Sequence, residues 1–434
     1  MARVKSPIVK LRYRHYLNQD YKTILKAEKS NVEKVSYTRT FKDFKYRTIR
    51  NMFKFVTLKI LYPMHYKKAA KKPVDDKKVL FAVPRYDTLP NSLSLIYDRI
   101  NESGDYNIKV HYLTKLSLRL KQQYQVTDAF IRDLATAKYL FIDEANPDIA
   151  FIKKRPETQV VQLWHGCGAF KKFGFSTADK IFGNDAKTQQ KYPMYANYSL
   201  VTVSSPEVVW AYEEAMMLEG MNIVKPLGNS RTDVFYDEAF IAAAKERVLE
   251  ACPQARGKKI ILYAPTFRGR VSNAQGPDRL DYDRLYEELG DEYVIIIKHH
   301  PLVVKLPDIP DRYNGSFVFD VSRTGDISDL ICAADICISD YSSLVFEYSL
   351  LERPLIFFAY DLDTYFDWRG FYYDYYEMAP GPVVSSTEGI IDYIKNLDTR
   401  FDRKRLQDFR YKFMRSCDGH ATERIFKEIG LTIR

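Results

Sequence analysis

Val161-Gln162-Leu163-Trp164-His165-Gly166-Cys167-Gly168 is an apolar run that stops in a Trp-His-Gly turn. The run reads as a buried strand. Its imidazole, His165, is therefore expected at the carboxyl end of that strand, where open α/β sheets hold their ligands. Two further stretches repeat the pattern. Val294 to Ile297 runs into Lys298-His299-His300-Pro301, and Ile336 to Ser339 runs into Asp340-Tyr341-Ser342-Ser343. Three strand ends that deliver His, Lys-His and Ser-Ser into loops point to chemistry on a phosphorylated substrate.

Working outward, apolar runs alternate with polar or helix-periodic stretches. Strands are predicted at 79–83, 108–113, 137–142, 158–163 and 199–203, and a second series at 259–263, 293–297, 316–321, 336–339 and 354–358. Such alternation predicts parallel sheets covered on both faces. The α/β pattern thus gives two doubly wound Rossmann-like domains facing a cleft, at 78–235 and 236–434, the second carrying the C-terminal helices. Residues 1–77 precede them as a basic N-terminal extension.

The net charge of +10 is concentrated in that extension. Residues 1–72 hold 20 Lys or Arg against four Asp or Glu, a balance of +16, which leaves the remainder at −6. Residues 1–40 show no clear period. From Phe41 to Tyr62, aromatic and aliphatic residues interleave with Lys42, Lys45, Arg47, Arg50, Lys54 and Lys59. This reads as an amphipathic helix that lies in an anionic headgroup layer, or as one packed on the globule with its Lys stems covering apolar surface. No signal-peptide h-region and no run of roughly 20 apolar residues is expected to cross a membrane. Five scattered cysteines without CxxC spacing argue against a disulfide framework or zinc site and fit a reducing compartment.

Candidate site residues follow from these strand ends. His165 can take a proton from a hydroxyl near neutrality. Trp164 supplies an apolar wall, and Gly166 and Gly168 let backbone approach a ligand. The Gly166-x-Gly168 pair is no dinucleotide fingerprint, because Lys171 stands where the third glycine would be, and the chain has no GxxxxGK[ST]. Adjacent His299 and His300 on an extended segment point to opposite sides and form no chelating pair; His300 is expected to face the cleft, with Lys298 as a cation. Asp340, Ser342 and Ser343 precede a helix over 344–351 whose start suits an anion. Glu347, one turn on, is placed to meet a ribose hydroxyl or simply solvent. Arg268 and Arg369 are candidates for bidentate phosphate contacts.

Gln162-Leu163-Trp164-His165-Gly166, Gly228-Asn229-Ser230-Arg231-Thr232-Asp233, Leu262 to Arg268, Lys298-His299-His300-Pro301, Ser339-Asp340-Tyr341-Ser342-Ser343 and Arg369-Gly370-Phe371-Tyr372 occur in one order. In that order, over residues 78–430, the chain resembles the CDP-glycerol:poly(glycerophosphate) glycerophosphotransferases of teichoic-acid synthesis. The resemblance implies a GT-B fold and transfer of a polyol phosphate from a CDP-polyol donor to a lipid-linked polyprenyl or glycolipid acceptor, with release of CMP. It implies His165 as the base, His300 near the pyrophosphate, and Ser342 and Ser343 at the donor. It also implies a peripheral enzyme on the cytoplasmic face of a bacterial membrane. No metal site and no obligatory cofactor is expected; the sequence does not indicate magnesium. Cys167, Asn229-Ser230 and Glu347 depart from the family's usual residues. A nucleotide-sugar glycosyltransferase of the same fold is the alternative. A nucleic-acid-binding module leaves the three strand-end clusters without a role, and no nucleic-acid partner is expected.

Overall fold

The computed structural model describes residues 41–433 apart from 114–118, 179, 181–182, 184 and 270–273. The expectation for residues 1–40 lies outside the described residues. The chain forms two compact units, Met1–Leu61 and Tyr62–Arg434.

In the first unit the predicted amphipathic segment is helical. An α-helix runs over Phe41–Val56, and a π-helical turn follows over Thr57–Leu61. Thr57 Oγ1, at the start of that turn, donates back to the Phe53 carbonyl of the preceding helix at 2.8 Å. Ile49, Met52, Phe55 and Ile60 are exposed large apolar side chains beside Arg50, Lys54 and Lys59. Among the described residues no helix is long and apolar enough to cross a membrane.

The extension expected to reach residue 77 is therefore shorter, because residues 62–77 belong to the second unit. The helix Tyr62–Ala69 buries Tyr62 and Tyr66. Tyr62 stacks on Tyr124 at 6.0 Å, and the Tyr66 hydroxyl accepts the Arg155 N–H at 3.1 Å. Two aromatic side chains buried against the globule hold this segment more firmly than its lysines suggest.

The second unit contains two six-stranded sheets. The first has strands β1 (Asp75–Val83), β2 (Asn107–Tyr112), β3 (Ala137–Ile142), β4 (Gln159–Gln162), β5 (Leu200–Thr202) and β6 (Val224–Lys225), in the order β2-β1-β3-β4-β5-β6. The second has β7 (Lys259–Ala264), β8 (Tyr293–Ile297), β9 (Val318–Asp320), β10 (Ile336–Ser339), β11 (Leu355–Phe358) and β12 (Val383–Val384), in the order β12-β11-β10-β7-β8-β9. Every paired strand is parallel. Parallel strands covered on both faces must be apolar along their length. β8 is buried at all five residues, and β7 at five of six. Complete burial of a Val or Ile contributes about 1.5–3 kcal/mol before conformational entropy is charged. The ten predicted strands are all present; β6 and β12, two residues each, are too short for any period to reveal.

The strand orders reverse twice, between β1 and β3 and between β7 and β10. At such switch points the adjacent crossovers leave to opposite faces, and a crevice opens at the carboxyl ends. His165 follows β4, next to β3. Thr266 and Arg268 follow β7, and Ser342 and Ser343 follow β10, so this second group brackets the second crevice.

The C-terminal helices do not stay with the second sheet, as the 236–434 division expected. Ile425, Phe426 and Ile429, of the helix Ala421–Ile429, pack in one cluster with Val79, Phe81 and Phe141 of the first sheet. Asp233 holds the start of this helix by accepting the backbone N–H groups of Ala421 and Thr422 at 3.0 and 2.8 Å. The helix supplies the apolar cover that one face of the first sheet lacks.

Candidate active site at the facing strand ends

β4 ends at Gln162, whose side chain turns back to accept the Trp164 N–H at 2.9 Å. Trp164 is held at φ +57°, a conformation costly for a bulky residue. Its ring lies 4.5 Å from the His165 ring and is wedged by Phe173 at 5.0 Å. His165 Nδ1 lies 3.0 Å from the Asp143 carbonyl oxygen. A carbonyl only accepts, so the proton sits on Nδ1 and Nε2 keeps its lone pair. The Glu144 carboxylate is 3.7 Å from Nδ1. Asp143 and Glu144 come from the end of β3, at the first switch point. Burial pushes the Asp143 carboxyl up, against the Ser92 hydroxyl that donates to it and the nearby His165.

The next residues touch the other lobe. A β-carbon at Gly166 would lie 3.0 Å from Ser343 Oγ, and one at Gly168 would lie 2.5 Å from the Phe346 ring. Gly168 also has φ +64°. The glycines thus let the backbone of the His165 turn pack against the Ser343 and Phe346 side chains of the second lobe. Phe170 to Lys172 then pairs with Gly370 to Tyr372: Lys172 N–H donates to the Gly370 carbonyl and Tyr372 N–H to the Phe170 carbonyl, both at 3.0 Å. This two-stranded ribbon joins the lobes beside the site.

On the second lobe the two adjacent histidines divide as their alternation requires. His299 is buried and its N–H donates to Ser322 Oγ, while His300 is exposed. His300 Nδ1 accepts the Leu302 N–H at 3.1 Å, so its proton is on Nε2. The two site histidines are opposite tautomers, one with a free acceptor and one with a free donor. Although the ring has an open edge, desolvation by the surrounding site atoms pushes His300 down to about 4, helped by the neighbouring Lys171, Arg85, His165 and Arg369. His300 thus lies within the electrostatic reach of the first lobe. Ser342 Oγ accepts the Leu344 N–H at 3.3 Å, and Ser343 makes no side-chain cap. The predicted helix is a short α-helix over Leu344–Tyr348 continued by a 3₁₀ turn over Ser349–Leu351.

Four expected ligand contacts are otherwise engaged. Arg268 forks onto Asp361 through Nε and Nη2 at 2.6 and 2.9 Å, and gives Nη1 to the Thr266 carbonyl at 2.6 Å. It also lies 2.9 Å from Asp340 Oδ2 and under the Tyr341 ring. Asp340 is buried and accepts the N–H groups of Thr266 and Tyr341. Both residues fix the loops after β7 and β10. Lys298 Nζ donates to the Ser322 and Gly325 carbonyls at 3.0 and 2.6 Å, which closes a neighbouring loop. Glu347 is buried in an ion pair with Arg231. A carboxylate one turn into a helix facing the opposite lobe needed a cation there, and Arg231 supplies it. Arg369 gives Nε to the Lys172 carbonyl at 2.9 Å and borders the site from the ribbon.

Three groups went unread in the sequence. Glu144 has no motif of its own and matters only because β3 lies beside β4. Arg231 was read as part of a turn; its Nη1 reaches the His165 carbonyl at 3.3 Å while Nη2 holds Glu347. Lys171 enters through the ribbon.

The arrangement can bind an anion beside a proton acceptor in a crevice shared by two Rossmann-like lobes. The chain is 36% identical over 359 residues to a teichoic acid poly(ribitol-phosphate) polymerase of Bacillus spizizenii, matching 82% of this chain and 56% of that one. It is 33% identical over 357 residues to a teichoic acid ribitol-phosphate primase of the same organism, matching 81% of this chain and 90% of that one. A solved structure of the wall teichoic acid polymerase TagF superposes with a TM-score of 0.72 at 23% identity, covering 90% of this chain and 98% of that one, and so shares the fold. The model of the CDP-glycerol:poly(glycerophosphate) glycerophosphotransferases matches residues 64–431, and with the two facing sheets and the ordered motifs it makes this chain a member of that family.

Proposed function

We propose that this protein transfers a polyol phosphate from a CDP-polyol to a lipid-linked acceptor, with His165 as the base. One observation carries the reading: the His165 turn and the Ser342–Ser343 loop meet at the Gly166–Ser343 approach, so a proton acceptor and a phosphate-compatible loop border one space. The family membership and the relatives named for ribitol-phosphate priming and polymerisation support it.

The donor diphosphate lies at Ser343 and Ser342, with the His300 Nε2–H donating to a non-bridging oxygen and Arg369 bordering it. The acceptor hydroxyl gives its proton to His165 Nε2 as its oxygen attacks the phosphorus that bears the polyol. The bond from that phosphorus to the bridging oxygen breaks, and CMP leaves with the electron pair. Asp143 orients the imidazole, and Glu144 stabilises the imidazolium that forms. Positioning and charge carry most of such a transfer. The exposed Ile49, Met52, Phe55 and Ile60 among basic residues support seating of the first unit in an anionic cytoplasmic membrane surface, where the acceptor resides.

The test is incubation of the purified protein with CDP-ribitol or CDP-glycerol and a lipid acceptor, followed by CMP release and product sizing. Release of CMP with an extended lipid product is expected. Product from a nucleotide sugar, with neither CDP-polyol consumed, would replace this reading with glycosyl transfer.

A further inference from the structure

Lys171 is the conspicuous unused group. It lies on the first lobe's side of the ribbon, bridged to Phe371, and is half-buried. Its ammonium sits 5.9 Å from the centre of the Tyr365 ring. Among the described residues no carboxylate forms an ion pair with it. Three other cations near the site are tied: Arg268 to Asp361, Lys298 to two carbonyls, and Arg231 to Glu347. The charged groups facing Lys171 are Arg369 from its own ribbon, Asp340 after β10 and Arg268 after β7, and His300 after β8 lies in its field. Two guanidiniums and one carboxylate around a half-buried ammonium leave an excess of positive charge that an anion would relieve.

We propose that Lys171 is the first lobe's ligand for the donor diphosphate, reaching across the ribbon to the anion that Ser343 and His300 hold from the second lobe. This rests on the function proposed above and adds to it a residue and a consequence. Donor binding draws on both lobes and takes up a proton. Desolvation first, and then Arg369 and Arg268 against the opposing Asp340, push Lys171 down to about 7. Near neutrality an appreciable fraction of the empty protein therefore carries the neutral amine. A diphosphate screens the guanidiniums, raises the amine and fills it with a proton.

The experiment is calorimetric titration of the full chain with CDP, and separately with inorganic pyrophosphate, at pH 7.5 in two buffers of different ionisation enthalpy. Wild type, Lys171→Met, Lys171→Arg and Ser342→Ala with Ser343→Ala are compared, with circular dichroism confirming that each is folded. The wild type should take up a fraction of a proton with either anion. Lys171→Met should weaken CDP at least tenfold and lose most of that uptake. Lys171→Arg should retain affinity within a fewfold yet lose the same uptake, because a guanidinium does not titrate here. The arginine variant separates ligation from a merely structural role. Wild-type affinity and uptake in Lys171→Met, or unchanged uptake in Lys171→Arg, would overturn the proposal. Absence of CDP binding by the wild type would remove the functional reading itself, whereas loss in the serine variant with none in Lys171→Met would leave that reading standing and remove only Lys171.

Discussion

Glu144→Gln isolates the electrostatic support of the base. The substitution keeps the shape and the backbone carbonyl that accepts from Gln162, and removes one charge 3.7 Å from His165 Nδ1. A full imidazolium at that distance gains about 1 kcal/mol at the dielectric of water and about 4 kcal/mol at an effective dielectric of about 20. The lower part of that range applies. The His165 side chain is 44% exposed, and Arg85 stands 3.3 Å from Glu144 and offsets part of its field. A loss of about 1–2 kcal/mol in the transition state is a 5- to 30-fold fall in kcat, by about 1.4 kcal/mol per decade. CMP release at saturating donor and acceptor measures it, and calorimetry with CDP should give a Kd within about twofold of wild type. His165→Ala should lose about 10²–10⁴-fold in turnover. Adding Glu144→Gln to it should cost nothing more, because the carboxylate acts through the ring. Wild-type kcat in Glu144→Gln, or additive losses in the double variant, would refute this assignment of the base and its partner.

Arg231→Met leaves the buried Glu347 carboxylate without its cation and should lower stability by about 3–5 kcal/mol, whereas adding Glu347→Leu should recover most of it, as read from urea midpoints. Stability should also fall as pH drops from about 6.5 toward 4. His300 in the folded chain resists protonation until about 4, while the unfolded chain accepts its proton near 6.5, so the contribution is whole above 6.5 and is lost as the pH falls through that window. His300→Gln should flatten this part of the profile relative to wild type, and identical slopes would contradict the shift. Removing residues 1–61, which hold 16 Lys or Arg against four Asp or Glu, a balance of +12, should abolish sedimentation with anionic liposomes at physiological salt and spare hydrolysis of soluble CDP-polyol; equal sedimentation of both chains would exclude a membrane role for this segment.

The strands and the site histidines were readable for a local reason. A parallel strand buried on both faces must be written as a continuous apolar run, as in Val294 to Ile297, and its end is marked where polar residues begin. That placed His165, His300 and the serine pair at strand ends. It could not tell which polar residues would remain free. Arg268 looked like a phosphate ligand because arginine after a strand often is one, but Asp361, 93 residues on, claims its fork. Lys298 and Glu347 fell to the same effect, captured by carbonyls of the 322–325 loop and by Arg231.

The sequence by itself determined the α/β class, the two sheets and the residues that could act as base and anion ligands, because periodicity and strand-end chemistry are written within a few residues. Only the tertiary structure decided which of them share one crevice. The Gly166–Ser343 approach, the pairing of 170–172 with 370–372 and the return of Ile425 to Ile429 to the first sheet each join residues far apart in the chain. Local propensity carries no information about such partners; charge neutralisation and the covering of apolar faces select them only once the chain is folded.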